Sequence, residues 1–132
     1  MGECLEVAQK LYRAFSAGDM ETVRAVLSPD LVWYEAEGYP YDGDNPYLGI
    51  GAVVDELFPR IAADWGDWTV TIENMIEAEP YVITQGRYTG FNIHTGKPVD
   101  AQMAHVLTIR DGKVAHFQQY ADTRQIYAAT QP

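Results

Sequence analysis

The stretch 101–123, AQMAHVLTIRDGKVAHFQQYADT, constrains this chain more than any other. Two alternating runs flank Asp111-Gly112, a dipeptide that favours the two-residue turn of a tight hairpin. A plain turn sets Arg110 opposite Lys113, Leu107 opposite His116, His105 opposite Gln118, Met103 opposite Tyr120 and Ala101 opposite Asp122. Side chains alternate between the two faces of a strand. One face of the hairpin then carries Met103, His105, Leu107, Ile109, Val114, His116, Gln118, Tyr120 and Asp122. An apolar floor with ionisable groups set into it is the pattern of a pocket wall.

The rest of the chain supplies material to cover that wall. Leu5, Ala8, Leu11, Tyr12 and Phe15 recur at helical spacing over 3–16, and Gly18-Asp19 ends that helix. Asp19 caps a short second helix, METVRAVL, which Ser28-Pro29-Asp30 stops before a strand LVWYE at 31–35. The segment 36–49 is rich in Gly, Pro, Asp and Asn yet carries Tyr39, Tyr41 and Tyr47, an aromatic load unusual for a linker. Ile50, Val53, Val54, Leu57, Phe58, Ile61 and Trp65 form a third helical stripe, kinked or divided at Pro59. From Trp68 the period changes to two, with strands at about 68–79, 81–93, 99–110 and 113–121. Helices first and antiparallel strands after them predict one α+β domain over 1–132, with helices on one face of the sheet.

A turn at Thr95-Gly96 places Gly86 opposite His105 and Gly90 opposite Ala101. Glycine inside a strand marks a place where something approaches the backbone, so a hollow is expected beside His105. The other face carries Gln85, Arg87, Phe91, Ala104, Val106, Phe117 and Ala121, a mixed surface open to water or to a second subunit.

Charge narrows the partners. A formal charge of −10 offers no basic footprint for phosphate, which argues against nucleic acid. No run is long enough to span a membrane. The start MGECLEVAQK holds acids where a secretory leader has bases, and Cys4 is the single cysteine, so a cytoplasmic protein without disulfides is expected. No metal-ligand spacing, dinucleotide fingerprint or serine nucleophile elbow occurs, and no cofactor is called for.

Several residues carry possible chemistry. His105 reads either as a core histidine bonded to Gln118 or as an acid/base or orienting group. Asp122 reads either as the cap of a C-terminal helix or as a carboxylate at a pocket wall, raised by burial into a usable base. Four ladder positions separate the two, roughly 13 Å at about 3.3 Å per residue, too far for a dyad. Tyr12, Trp33, Phe58, Trp65 and Tyr88 are core aromatics of which one or two line a pocket, and Gln118 and Tyr120 are polar candidates beside it. Glu35 and Glu37 sit at the loop edge, where solvation is expected, and His116 lies near the turn.

The segments YRAFSAGDMETVRAVLSPDLVWY, NPYLGIGAVVDELF, HTGKPV and AHVLTIRDGKVAHFQQYADT together resemble the SnoaL-like polyketide cyclases. That group lies within the nuclear transport factor 2-like superfamily, beside ketosteroid isomerase-like and limonene epoxide hydrolase-like enzymes. The resemblance implies a cone-shaped α+β roll, in which a curved antiparallel sheet wraps against three helices around an internal pocket. It also implies a homodimer through the sheet. His105 matches the strand-borne histidine of the group. Asp122 matches its late aspartate, the acid/base of a cofactor-free aldol ring closure. The expected function is acid/base chemistry on an apolar, carbonyl-bearing small molecule. The alternative is a binding or scaffold protein of the same fold.

Overall fold

The structure is a computed structural model describing residues 2–132. The apolar stripe of the N-terminal segment forms helix α1, Glu3–Ala17. Its open first-turn amides are met from the sheet, where Glu77 accepts from Gly2 N at 3.1 Å and Leu5 N at 2.9 Å. Gly18, at φ 69°, adopts the left-handed cap conformation that ends the helix, and Asp19 then caps α2, Met20–Val26, through Thr22 N. The chain enters strand β1, Leu27–Tyr34, earlier than Ser28-Pro29-Asp30 suggests. Pro29 is accommodated because the pairing is interrupted between Leu27 and Val32.

After the tyrosine-rich loop and the two-residue strand β2, Tyr47–Leu48, the third helical stripe is split as Pro59 demands. Pro59 lacks an amide hydrogen, and its ring collides with the carbonyl four residues back in regular α geometry. The backbone widens into a π-helical stretch, Ala52–Leu57, before helix α3, Phe58–Asp64. Strands β3 (Trp65–Ala78), β4 (Tyr81–Asn92), β5 (Pro98–Arg110) and β6 (Lys113–Ala121) follow, and helix α4 (Thr123–Ala129) ends the chain. The sheet order is β2-β1-β6-β5-β4-β3. It is curved and unclosed, and it is mixed instead of purely antiparallel, because β1 runs parallel to β6. Helix α1 packs across β3 to β6 and encloses the core against them. No described helix is long and apolar enough to cross a membrane.

Two registers differ from the sequence expectation. The β5–β6 turn pairs Arg110 with Lys113 and Ile109 with Val114, but the ladder then pairs Thr108 with His116 and His105 with Gln119. Ala115 is the extra residue of a β-bulge. One inserted residue reverses every side chain beyond it, so Phe117 and Gln119 face the core where His116, Gln118 and Tyr120 were expected. Between β4 and β5 the shift is two: Thr84, not Gly86, faces His105. An even shift leaves the faces unchanged.

The glycines have another cause than a ligand hollow. A Cβ on Gly86 would lie 2.0 Å from the Thr71 carbonyl oxygen, and one on Gly90 would lie 2.8 Å from that of Gly66. Both stand where β3 presses on β4 beside irregularities at Gly66/Thr69 and Ile72/Asn74. They allow the sheet to bend.

Candidate functional site

The space between α1, α3 and the concave side of the sheet holds a cavity of about 60 Å³. Its walls are Leu11, Tyr12, Phe15, Trp33, Glu35, Tyr39, Phe58, Ile61, Trp68, Val70, Tyr88, His105, Phe117 and Gln119. An apolar cavity of roughly 150 Å³ takes up benzene, so this one admits a ring only if a wall yields. A surface groove between α1 and β3 shares Tyr12 and Val70 with the cavity.

The polar centre is a chain of hydrogen bonds. The Ala36 amide donates to Gln119 Oε1 at 2.9 Å, which turns the Gln119 amide nitrogen toward the Tyr88 hydroxyl, 2.8 Å away. The Tyr88 hydroxyl lies 2.5 Å from His105 Nε2, and the Tyr12 hydroxyl lies 2.7 Å from His105 Nδ1. Burial drives the imidazole down to about 3, so it is neutral, with one nitrogen donating and the other accepting. If Tyr12 donates to Nδ1, Tyr88 accepts from both His105 and Gln119 and its own proton is free. If Tyr88 donates to Nε2, the free proton is on Tyr12. Burial raises both tyrosines above the usual phenol range, so both remain hydroxyls.

Glu35 is the ionisable acid of the cavity wall. It is 3% exposed, and burial pushes its carboxyl up to about 8. The nearby Trp33 indole acts in the opposite direction without meeting hydrogen-bond geometry to the carboxylate. The backbone at this position is clamped, since Asn45 Oδ1 accepts from Glu35 N at 2.9 Å while Asn45 Nδ2 donates to Glu35 O at 2.8 Å. The loop that supplies this clamp folds inward on Tyr39, Tyr41 and Tyr47, each at most 5% exposed. That accounts for its aromatic content.

Of the residues singled out in the sequence, His105, Tyr12, Trp33, Phe58 and Tyr88 line the cavity together. Trp65 stands behind them, tilted at 46° against Trp68 and donating to the Tyr41 hydroxyl at 3.1 Å. Gln118 and Tyr120 lie on the outer face, reversed by the Ala115 bulge. Asp122 is exposed, and its carboxylate caps α4 by accepting from Gln125 N at 3.3 Å. It borders a shallow outer depression with Glu73, Gln102 and Tyr120 and does not reach the cavity that His105 lines. Glu35, placed by its sequence position in solvent, is instead buried. Its signal was the alternation Leu31, Trp33, Glu35, which puts the acid on the buried face. Gln119 had no such signal, because only the bulge brings it inside. Among the described residues no three His, Cys, Asp or Glu side chains group into a metal site.

An unclosed, curved sheet closed over by helices, with a neutral histidine and a buried acid in one small cavity, defines an α+β roll. The chain belongs to the SnoaL-like domain family, whose match covers residues 8–117. It is similar in structure to an NTF2-like protein from Burkholderia thailandensis, at 30% identity and a TM-score of 0.93 over 98% of each chain. It is similar in fold to TerC, solved with polyporic acid, at 22% identity and TM-score 0.85 over 96% of this chain and 97% of that one. IdmH from Streptomyces antibioticus, described as a candidate polyketide cyclase, shares the fold at 21% identity and TM-score 0.78, over 96% and 97% of the two chains. No curated protein matches the chain in sequence.

Proposed function

We propose that the protein is a cytoplasmic, cofactor-independent acid/base enzyme of the isomerase or cyclase type, acting on a small, apolar, carbonyl-bearing molecule. The observation that carries this is Glu35: a carboxyl 3% exposed in the wall of a largely apolar cavity, which burial pushes up to about 8, on the same wall as a neutral histidine held by two tyrosines. A general base works best when its pKa lies near the operating pH. In this reading ionised Glu35 takes a proton from the carbon next to a carbonyl. The C–H electron pair becomes the new C=C bond, and the carbonyl π pair moves to oxygen. A hydroxyl of the Tyr12–His105–Tyr88 array polarises that oxygen, and His105 acts by orienting the hydroxyl. The protonated Glu35 then returns the proton to another carbon, or the enolate carbon closes onto a second carbonyl of the same molecule, whose oxygen takes the proton back from Glu35. Membership of the SnoaL-like family and fold likeness to a candidate polyketide cyclase support the reaction type.

No nucleic acid partner is included, in keeping with the acidic charge. A second copy covers the outer sheet face, where Ile76 and Tyr120 are 49% and 55% exposed beside Ile83, Val106 and Ala104. A non-catalytic binding protein is the second reading, favoured by the small volume of the cavity.

The test is deuterium exchange at the α-carbons of cyclopentanone and 2-indanone, followed by NMR in heavy water with wild type, Glu35→Gln and His105→Ala. The enzyme reading expects exchange that rises with pH through about 8 and that Glu35→Gln abolishes. Equal exchange in wild type and Glu35→Gln contradicts it, and binding without exchange supports the second reading.

A further inference from the structure

Only two buried side-chain polar atoms in the described structure lack a hydrogen-bond partner, Trp33 Nε1 and Thr84 Oγ1. They are not equivalent. Thr84 pairs across the sheet with His105 and does not line the cavity, whereas Trp33 does. Trp33 is 6% exposed, and its indole is pinned in place, stacked on Phe117 at 3.6 Å and set edge-on to Phe58 at 5.8 Å. A buried donor left unmade costs about 1–3 kcal/mol. An indole N–H only donates, so whatever completes it must be an acceptor. The surrounding walls are aromatic, which suits a flat ligand frame.

We propose that the Trp33 indole N–H is a ligand-binding donor that receives the negatively charged oxygen of a small planar enol or phenol. The proposal rests on the reading of this cavity as the place where an enolate forms, and it assigns that enolate's oxygen a second donor beside the tyrosine hydroxyl. A hydrogen bond to an ionised acceptor is roughly twice as strong as a neutral one, so the enolate gains more from Trp33 than the parent ketone does. Donation that grows as charge develops on oxygen is how a fixed N–H lowers a barrier. Glu35 holds the abstracted proton at that moment and is neutral, so it does not repel the anion.

The probe is 4-nitrophenol, whose absorbance separates phenol from phenolate, with 4-nitrotoluene as a match in shape that lacks the oxygen. Affinities are measured for wild type and Trp33→Phe, which keeps the ring against Phe117 and removes the N–H. Circular dichroism confirms that the variant is folded. Wild type is expected to bind the phenolate about tenfold more tightly than Trp33→Phe, with equal affinities for 4-nitrotoluene. Equal phenolate affinities overturn the proposal, as does failure of the wild type to bind 4-nitrophenol. A third result also overturns it: Trp33→Phe raises the titration midpoint of Glu35 and leaves phenolate affinity unchanged, which assigns the N–H to Glu35. Glu35→Gln separates the two readings, since phenolate binding persists in it while carbon–hydrogen exchange is lost.

Discussion

At the scale of single residues, Glu35 and His105 are two groups whose uncharged forms the fold favours. For Glu35 the folded value is raised from 4.5 to about 8, so the folded state holds a proton that the unfolded chain has released. Stability attached to this group is fully present below about 4.5 and is lost as pH rises toward 8. At about 1.4 kcal/mol per pH unit the loss is on the order of 5 kcal/mol. Glu35→Gln is therefore expected to melt higher than wild type above pH 8 and close to it near pH 4.5, as calorimetry across that range will show. Gln119 has a different role, joining the Ala36 amide to the Tyr88 hydroxyl. Gln119→Leu leaves the buried Ala36 amide without a partner and removes one of the two partners of the Tyr88 hydroxyl. A loss of about 1–3 kcal/mol in chemical denaturation is expected, together with slower carbon–hydrogen exchange.

At the scale of elements, the walls of the cavity differ in how firmly they are held. Helix α1 buries Cys4, Ala8, Leu11, Tyr12 and Ala14, while α3 buries no residue fully and follows a π-helical stretch. Amide hydrogen exchange over 58–64 is expected to be much faster than over 5–15, and a ligand that enters by displacing Phe58 and Ile61 should slow it. The bent pair β3–β4 makes a second prediction. Gly86→Ala drives a methyl group into the Thr71 carbonyl, and since backbone is what must move, a loss of about 2 kcal/mol or more is expected in urea titration. The elements themselves were legible in the sequence, since helical and two-residue periodicity mark α1, the π-helical piece with α3, and β3 to β6. Faces were legible only where the register was regular. Asp111-Gly112 specifies the turn but says nothing of Ala115, and that one residue separates Gln118 from Gln119 as the side chain at the cavity. Asp122 fell on the wrong side of the same bulge, while Glu35 was readable from alternation with Trp33 but was masked by its place at the mouth of a polar loop.

At the scale of the whole molecule, the two perturbed groups act on stability in opposite directions. His105 is depressed from 6.5 to about 3, so its contribution is present above 6.5 and is lost as pH falls toward 3. Between about 4.5 and 6.5 the two slopes cancel; below that window His105 destabilises on acidification, and above it Glu35 destabilises up to about 8. Their joint contribution is a plateau in melting temperature between pH 4.5 and 6.5, and Glu35→Gln removes its alkaline shoulder. If a second copy covers Ile76 and Tyr120, Tyr120→Glu should shift the sedimenting species from dimer to monomer and leave the cavity intact.

The proposed chemistry depends on the state of one carboxyl group, and that state is measurable without any substrate. Carbon-13 NMR of glutamate-labelled protein, with Glu35→Gln to assign the signal, follows the Glu35 carboxyl through a pH titration. A midpoint near 8 is the result expected for an acid enclosed in the cavity wall. A midpoint near 4.5 would mean that Glu35 is solvated and ionised at neutral pH, and the acid/base role assigned to it here would be wrong.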